Sequence, residues 1–487
     1  MFDKLKELTK DTAIYGISTM IGRFLNFILV PFYTNIFSPG DYGIVILVYS
    51  YIAILNIFFI YGMDAAFLKY AAFKDIGDDK DNFSTPYISV FITSVFFSGL
   101  LIILNNSITE WIGVPLNYSS IIILSSVIIF VDANAVIPFL KLRLEREAKQ
   151  FAAIKVLNIL LNILLNVVLI VGMGWGIEAI FISNLTASLL SLVLVSPTII
   201  RFFKLSFHKV LFNRLLKFGL PYLPAGIAIM LVQVVDVPIL ERLTDLDTVG
   251  IYKANYKLGI FMMLFVNMFQ YAWQPFFLQN AKEENAKQMF SKVMTYFSIV
   301  GFTMLIILSL FIDDIVKINF GGFSIIGAQY WRGLEIVPII LLGYLFNGFY
   351  VVFSAGIYIE EKSIYAPIVA GAGAVTNIVS NLLLIPAFGI MGAAFATLIS
   401  YGVMALGYFL VTQKYYKIDY DFSRLIKLFV LALFIGASYY FLRSTDELNL
   451  FVKLAMLIVY VSILFKFIID PSELRMLKEK LIKQRNK

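Results

Sequence analysis

Residues 43–62 read GIVILVYSYIAILNIFFIYG, twenty consecutive residues without a charged side chain. A helix needs about 20 apolar residues to cross a hydrocarbon core of ~30 Å. Thirteen more apolar stretches of similar length fill the chain, and only short gaps separate them. Because lipid offers no partner to an unpaired backbone group, such stretches must be helices. The sequence therefore predicts an all-α integral membrane protein with 14 transmembrane helices.

Composition supports this fold class. Hydrophobic residues make up 60% of the chain and charged residues 15%, whereas a soluble domain carries about 25% charged residues. The predicted spans are 12–36, 42–64, 85–106, 119–140, 152–172, 176–197, 217–240, 249–279, 289–312, 333–357, 364–386, 390–412, 424–442 and 449–469.

Two motifs recur in the same order along the chain. The run from Pro31 to Gly43 has the same proline-to-glycine spacing as the run from Pro238 to Gly250. Asparagine pairs four residues apart, Asn162/Asn166 and Asn377/Asn381, each precede a glycine-containing turn. An even number of helices per repeat makes the repeat parallel, with a pseudo-twofold axis along the membrane normal.

The repeat predicts two six-helix lobes followed by two further helices. The predicted domains are an N-lobe (1–200), a basic cytoplasmic linker (201–216), a C-lobe (217–413), helices 13 and 14 (414–470) and a basic amphipathic tail (471–487).

The distribution of basic residues predicts orientation. Most of the 39 Lys and Arg residues fall in alternate connections and in both termini, and the side richer in Lys and Arg is cytoplasmic. We therefore expect a multi-pass protein of the cell membrane with both termini in the cytoplasm. The net charge of +7 is a topology signal, so no nucleic-acid partner is predicted. The chain has no cysteine, and neither a cofactor nor a metal site is predicted.

Polar side chains inside predicted spans are the candidate site, since such residues are costly in lipid and usually functional. Span one carries Arg23, and Tyr15 and Asn26 share its helical face. Arginine suits a phosphate or pyrophosphate, because its fork binds two oxygens and stays charged. Further candidates lie on spans seven and eight: Gln233, Asp236, Lys253, Tyr256, Lys257, Asn267, Gln270 and Gln274.

Alternative roles stay open for the charged candidates. Arg23 could form a structural ion pair with Asp236 or Asp132. Lys253 and Lys257 could extend to the headgroups instead of facing a cavity.

The motifs Ser38-Pro-Gly-Asp-Tyr-Gly43 and Asn377-x-x-x-Asn381-Leu-Leu-Leu-Ile-Pro386 resemble those of the polysaccharide-biosynthesis (Wzx-like) flippases of the MOP exporter superfamily. The resemblance runs along essentially the whole chain and implies the MOP fold. It implies transport of a polyprenyl-pyrophosphate-linked oligosaccharide to the outer leaflet by alternating access, in a bacterial plasma membrane. Arg23, Lys253 and Lys257 would then hold the pyrophosphate, and the sugars would meet Tyr15, Asn26, Gln233, Tyr256, Asn267, Gln270 and Gln274. Asp41, which would match an acidic residue that the family carries after helix one, and Asp236 would have coupling or structural roles.

The resemblance also implies membrane lipids and polysaccharide assembly proteins as partners and a coupling ion, Na⁺ or H⁺, that the sequence does not identify. Two alternatives stay open. One is a MATE-like drug or cation antiporter, which would more naturally present an acidic cavity. The other is a membrane polysaccharide polymerase or ligase, which would need a larger outward loop than the connection from about Asp313 to Arg332.

Overall fold

The computed structural model describes residues 27–73 and 76–469, and most of that length is helical. The α-helices are α1 (Phe27–Ile36), α2 (Pro39–Ile60), α3 (Met63–Phe73), α4 (Asp79–Ile103), α5 (Asn105–Trp111), α6 (Ser119–Leu144), α7 (Ala148–Val167), α8 (Glu178–Phe202), α9 (Lys209–Gly219), α10 (Tyr222–Val234), α11 (Asp236–Leu243), α12 (Leu246–Tyr256), α13 (Ile260–Asn280), α14 (Ala286–Val316), α15 (Val337–Ile359), α16 (Tyr365–Tyr415), α17 (Phe422–Ser444) and α18 (Leu450–Ile463). Two short strands, β1 (Asn319–Phe320) and β2 (Phe323–Ser324), form a hairpin. The all-α membrane prediction is confirmed.

The number of spans is only partly tested. Among the described residues, 10 helices are long and apolar enough to cross a membrane, or up to 11 if the bent pair α9 and α10 forms one span. The predicted spans 364–386 and 390–412 lie together in α16, which breaks at Gly389 where φ is 55°. The total of fourteen stays a prediction.

Several predicted spans are not single α-helices; the range 217–240, for example, includes parts of α9, α10 and α11. The range 249–279 is not a single α-helix, because a 3₁₀ turn at Lys257–Gly259 separates α12 from α13. A 3₁₀ turn advances about 120° per residue instead of about 100°. The polar residues before and after the turn therefore do not share the uninterrupted stripe that the sequence predicted.

Packing divides the chain into two compact units. The first consists of the described part of Met1–Lys257, together with Gly321–Gly333 and Pro367–Ser400, and the second holds the remaining described residues from Leu258 onward. Helices α10, α11 and α12 therefore pack with α2 to α8, although the repeat places them in the C-lobe. The lobe boundaries predicted from the repeat stay a prediction.

Within the first unit, α2 and α12 cross at two glycines that the repeat relates. A Cβ on Gly43 would lie 2.0 Å from the Leu246 carbonyl oxygen, and a Cβ on Gly250 would lie 1.9 Å from the Pro39 carbonyl oxygen. The contact is reciprocal, since each glycine faces the first residue of the partner helix. Small residues let membrane helices approach this closely, so both motif glycines are required by packing.

The residue that caps each of these helices also follows the repeat. Ser38 accepts a hydrogen bond from the Asp41 backbone amide and donates one to the Asp41 carboxylate at 2.7 Å. Asp245 caps α12 by accepting from the Thr248 amide at 2.7 Å. Tyr118 also donates to Asp41, at 3.3 Å. Asp41 thus has a structural role at the start of α2, since it completes a helix cap.

The asparagine pairs have the same internal geometry in both repeats. Asn166 donates through Nδ2 to the Asn162 side-chain oxygen at 2.7 Å, and Asn381 donates to the Asn377 side-chain oxygen at 2.8 Å. They differ in one contact, because Tyr33 donates to Asn166 Oδ1 at 2.9 Å, whereas Asn381 Oδ1 is buried without a partner among the described residues. The structure supports the repeat at this second position.

The predicted cytoplasmic linker is an ordered connection. Lys204 follows α8 and lies 3.6 Å from Asp78 and 3.4 Å from Asp81, and these carboxylates raise the pKa of Lys204. Helix α9 follows, and its Leu211 and Leu215 are buried in a core cluster of the first unit. The linker is therefore held by ion pairs and by apolar packing.

Helices α17 and α18 are anchored to α14 by ion pairs in the second unit. Arg443 lies 2.8 Å from Asp313, and Lys453 lies 2.6 Å from Asp314. Lys453 is only 4% exposed. Two consecutive aspartates at the end of α14 thus fix both C-terminal helices, which makes these helices an integral part of the second unit.

We predict that Gly43→Ala or Gly250→Ala destabilises the protein by about 1–3 kcal/mol, the usual cost of overpacking, because the added methyl group meets backbone. Thermal unfolding of the purified protein in detergent measures this. The control is Gly99→Ala in α4, where a Cβ would meet nothing within 4 Å. Equal stability of the Gly43 and Gly99 variants would contradict the crossing.

Candidate functional site

The centre of the described site is a buried ion pair between α11 and α12. Lys253 Nζ lies 2.8 Å from Asp236 Oδ2, and the Tyr252 hydroxyl donates to the same oxygen at 2.8 Å. Asp236 is 2% exposed and Lys253 is 7% exposed. The Tyr256 ring lies 4.1 Å from Lys253 Nζ and contributes a cation–π contact. Lys253 is therefore neutralised by protein groups.

This pairing refines the predicted role of Lys253. A lysine bound to a carboxylate offers little charge to a second anion unless the pair separates. The structure thus supports a structural role for Asp236 with Lys253. Asp236 Oδ1 is buried and has no hydrogen-bond partner among the described residues.

Lys257 is in a different environment one turn further along the chain. It begins the 3₁₀ turn between α12 and α13, and its side chain is exposed. No described residue binds it through an ion pair or a hydrogen bond. Lys257 therefore differs from Lys253, whose charge is neutralised by Asp236.

The remaining predicted residues are placed as follows. Gln233 is exposed on α10 in the first unit. On α13, in the second unit, Asn267 is half-buried, and Gln270 and Gln274 are exposed. These three residues recur every three or four positions and so share one face of α13. Tyr15, Arg23 and Asn26 lie outside the described residues.

Two further opposite charges were not among the predicted site residues. Asp132 lies in the middle of α6, and its carboxylate attracts the Lys155 ammonium of α7 at long range, without an ion pair between the two. The sequence names Asp132 only as a partner for Arg23. The signal for Lys155 was its position inside the predicted span 152–172, because ionisable residues within membrane helices tend to pair with one another.

A hydrogen-bonded group adjoins these two charges. Asn184 of α8 donates to the Tyr49 hydroxyl at 2.8 Å, and Ser188 donates to Asn184 at 3.4 Å. Tyr49 belongs to α2 and stacks on Phe181 at 5.1 Å. Polar side chains of α2, α6, α7 and α8 thus lie near one another in the first unit, with Asp132 and Lys155 exposed and Tyr49 and Asn184 half-buried.

The second unit contains an apolar cavity of about 290 Å³. Residues of α14, α15 and α17 line it, among them Phe302, Leu342 and Phe429. Tyr439 and Tyr440 also line it, and Tyr440 donates to the Glu335 carbonyl at 2.7 Å. Its lining suits a hydrocarbon chain and offers little to a charged or sugar group.

The buried pair gives a testable double-mutant cycle. Asp236→Asn or Lys253→Met alone should cost about 3–5 kcal/mol of stability, since each leaves an uncompensated buried charge or its partner groups unpaired. The double variant should lose less than the sum of the two single losses. Thermal unfolding in detergent reports the four stabilities, and strictly additive losses would show that the pair does not interact.

The solved structures with similar folds are membrane transporters. The lipid II flippase MurJ in an inward closed conformation shares 18% identity, covers 93% of this chain and 99% of its own, and gives a TM-score of 0.68. An inward-facing multidrug resistance MATE family transporter of the MOP superfamily shares 14% identity over 83% of this chain and 97% of its own, with a TM-score of 0.64. The MATE structure in the straight conformation shares 14% identity over 84% and 95%, with a TM-score of 0.58. At these identities the likeness establishes the MOP fold alone.

Sequence comparison supplies the family. A search of curated proteins finds no match. The family model described as polysaccharide biosynthesis protein matches residues 34–322, more than half of the chain. The match includes the capped start of α2, the glycine crossing, the Asp236–Lys253 pair and Lys257. The chain therefore belongs to the polysaccharide biosynthesis protein family and has the fold of the MOP-superfamily transporters.

Proposed function

We propose that this protein is a flippase that moves a polyprenyl-pyrophosphate-linked oligosaccharide from the cytoplasmic to the outer leaflet of a bacterial plasma membrane, for the synthesis of a cell-surface polysaccharide. The family match and the flippase among the structural neighbours support this class of transport. The positive-inside pattern of the sequence supports an orientation with both termini in the cytoplasm.

The observation that carries the proposal is the difference in pairing between Lys253 and Lys257. Lys253 is paired with Asp236, whereas Lys257 has no partner among the described residues. Lys257 lies within the predicted span 249–279, and a lysine inside a membrane helix costs up to about 2.5–3.5 kcal/mol on insertion scales. A protein that keeps such a cation uncompensated is suited to an anionic ligand, and a pyrophosphate supplies the matching charge.

The other parts of the substrate also have matching surfaces. Amide side chains on one face of α13 suit sugar hydroxyls, because Asn and Gln both donate and accept hydrogen bonds. The apolar cavity of the second unit suits part of the polyprenyl chain. A MATE-like antiporter of cations would gain nothing from Lys257. We propose that a Na⁺ or H⁺ gradient, or the membrane potential, resets the cycle, since only differential binding shifts two states.

The first test is leaflet-resolved labelling of the lipid-linked glycan in cells depleted of this protein. Wild type should restore outward exposure. Lys257→Ala should lower the rate about tenfold or more, the effect expected when a charged hydrogen-bond donor is removed, and Lys257→Arg should retain more activity. The control is Lys417→Ala, because the Lys417 side chain is 74% exposed.

Two results would contradict the proposal. Unchanged glycan distribution after depletion, in a strain without a redundant transporter, would exclude the flippase function and favour a cation antiporter. Full activity of Lys257→Ala would exclude Lys257 as the anion-binding residue.

A separate prediction concerns Arg23. If the Arg23 guanidinium binds the pyrophosphate, Arg23→Ala should fail to restore outward exposure of the glycan. Arg23→Lys should restore it only partly, because lysine cannot form the bidentate contact. The same leaflet-resolved assay measures both variants. Full restoration by Arg23→Ala would assign Arg23 a structural or dispensable role.

A further inference from the structure

The connection between α14 and α15 belongs to a different unit from the helices that flank it. Residues 321–333 (the outer strap) pack within the first unit, whereas α14 and α15 belong to the second. The sequence places this connection on the outer side of the membrane. The strap therefore needs specific contacts with the first unit, because the helices on both sides of it belong to the second unit.

The strap is held at the end of α1 by hydrogen bonds between groups about 290 positions apart in the chain. Asn35 Nδ2 donates to the Ser324 carbonyl at 2.6 Å, and the Ser324 amide donates to Asn35 Oδ1 at 3.1 Å. The Asn35 side chain thus pairs with β2 as a neighbouring strand would, since it presents one donor and one acceptor.

Further hydrogen bonds extend this attachment along the strap. The Gly327 amide donates to Thr34 Oγ1 at 3.1 Å, and the Tyr330 hydroxyl donates to the Phe37 carbonyl at 3.0 Å. Asn255 of α12 donates to the Tyr330 carbonyl at 2.8 Å. The strap therefore binds both α1 and α12.

The part of the attachment around Gly327 and Tyr330 is tightly packed and shielded from water. A Cβ on Gly327 would lie 1.9 Å from the Thr34 carbonyl oxygen, so only glycine fits there. Ile326 and Tyr330 are fully buried, and Thr34 is 2% exposed. The hydrogen bonds of Gly327 and Tyr330 are therefore buried, whereas those between Asn35 and Ser324 are partly buried.

The strap also has local structure that does not involve α1. Gly321 and Gly322 adopt positive φ angles of 64° and 98° and close the hairpin of β1 and β2. The chain within the strap makes local bonds, such as Trp331 Nε1 to the Ile326 carbonyl at 2.7 Å. Detachment from α1 would therefore leave the fold of the strap itself intact.

We propose that the outer strap is a latch, and that its hydrogen bonds to Thr34, Asn35 and Phe37 must break whenever the protein opens to the outer side. This inference rests on the proposed flippase function, since alternating access requires such an opening. The latch stabilises the outward-closed state, and its strength limits how often the outer side opens.

The first experiment detects release without any substrate. The chain lacks cysteine, so Ile326→Cys provides a single reporter thiol at a buried position of the strap itself. A membrane-impermeant maleimide should label it slowly in the otherwise unchanged protein. Adding Asn35→Ala should speed labelling about tenfold, the factor expected for one or two lost hydrogen bonds. Asn35→Asp keeps the acceptor for the Ser324 amide and should give a smaller increase.

The matched control is Ala133→Cys, a fully buried position in a core cluster of the first unit. Its labelling should not respond to Asn35→Ala. An equal increase at both positions would show general destabilisation and would overturn the latch, as would unchanged labelling at position 326.

The second experiment links the latch to transport. The pair Asn35→Cys and Ser324→Cys, joined by a short methanethiosulfonate crosslinker, should block outward exposure of the glycan, and reductant should restore it. The control pair is Ser98→Cys and Ser126→Cys, since Ser98 donates to the Ser126 carbonyl at 2.9 Å between α4 and α6. Undiminished transport by the crosslinked 35–324 pair would overturn the latch.

The two experiments separate the two proposals. Labelling at position 326 requires no glycan, so it tests the latch even if the chain carries another substrate. A response to Asn35→Ala without glycan transport by the wild type would reject the proposed function and retain the latch.

Discussion

The close crossing of α2 and α12 is the constraint on which the described architecture depends. Lipid tails are as apolar as the helices themselves, so membrane helices gain little from burying apolar surface and associate through close packing and hydrogen bonds. Gly43 and Gly250 supply the close packing, because each lets the other helix approach to backbone contact. The caps at Ser38 and Asp245 fix where each helix starts. Together they place the ion pair of α11 and α12 beside α2.

Among the described residues, the almost fully buried lysines are paired with aspartates, whereas Lys257 has no such partner. Three lysines are almost fully buried, and each is bound to an aspartate at 2.6–3.0 Å: Lys141 to Asp79, Lys253 to Asp236 and Lys453 to Asp314. Such pairs hold helices in register, because removing one partner leaves a charge that lipid and protein cannot solvate. Lys257 differs from these three, since its side chain is exposed and no described residue neutralises it. The contrast separates lysines that build the fold from a lysine suited to bind an anion.

The sequence predicted a substantial part of this structure. Hydrophobic length fixed the fold class, because the requirement for about 20 apolar residues per span is a property of the solvent. Motif spacing related Gly43 to Gly250 and Asn166 to Asn381, and the structure shows matching contacts at both pairs. The prediction of a continuous helix over 249–279 was wrong, because apolar periodicity does not distinguish a short 3₁₀ turn, here Lys257–Gly259, from the α-helices on either side.

What the sequence determined by itself was therefore set by composition and local spacing: the membrane as solvent, the repeat, and the candidate residues on spans seven and eight. The tertiary structure alone decided which of those charges pair. Lys253 and Lys257 are equivalent in sequence, yet Asp236 lies beside only one of them. It also decided that residues 321–333 bind the end of α1, because such bonds join groups about 290 positions apart. Contacts between residues so far apart in the sequence depend on how the helices pack, and a local sequence pattern does not contain that information.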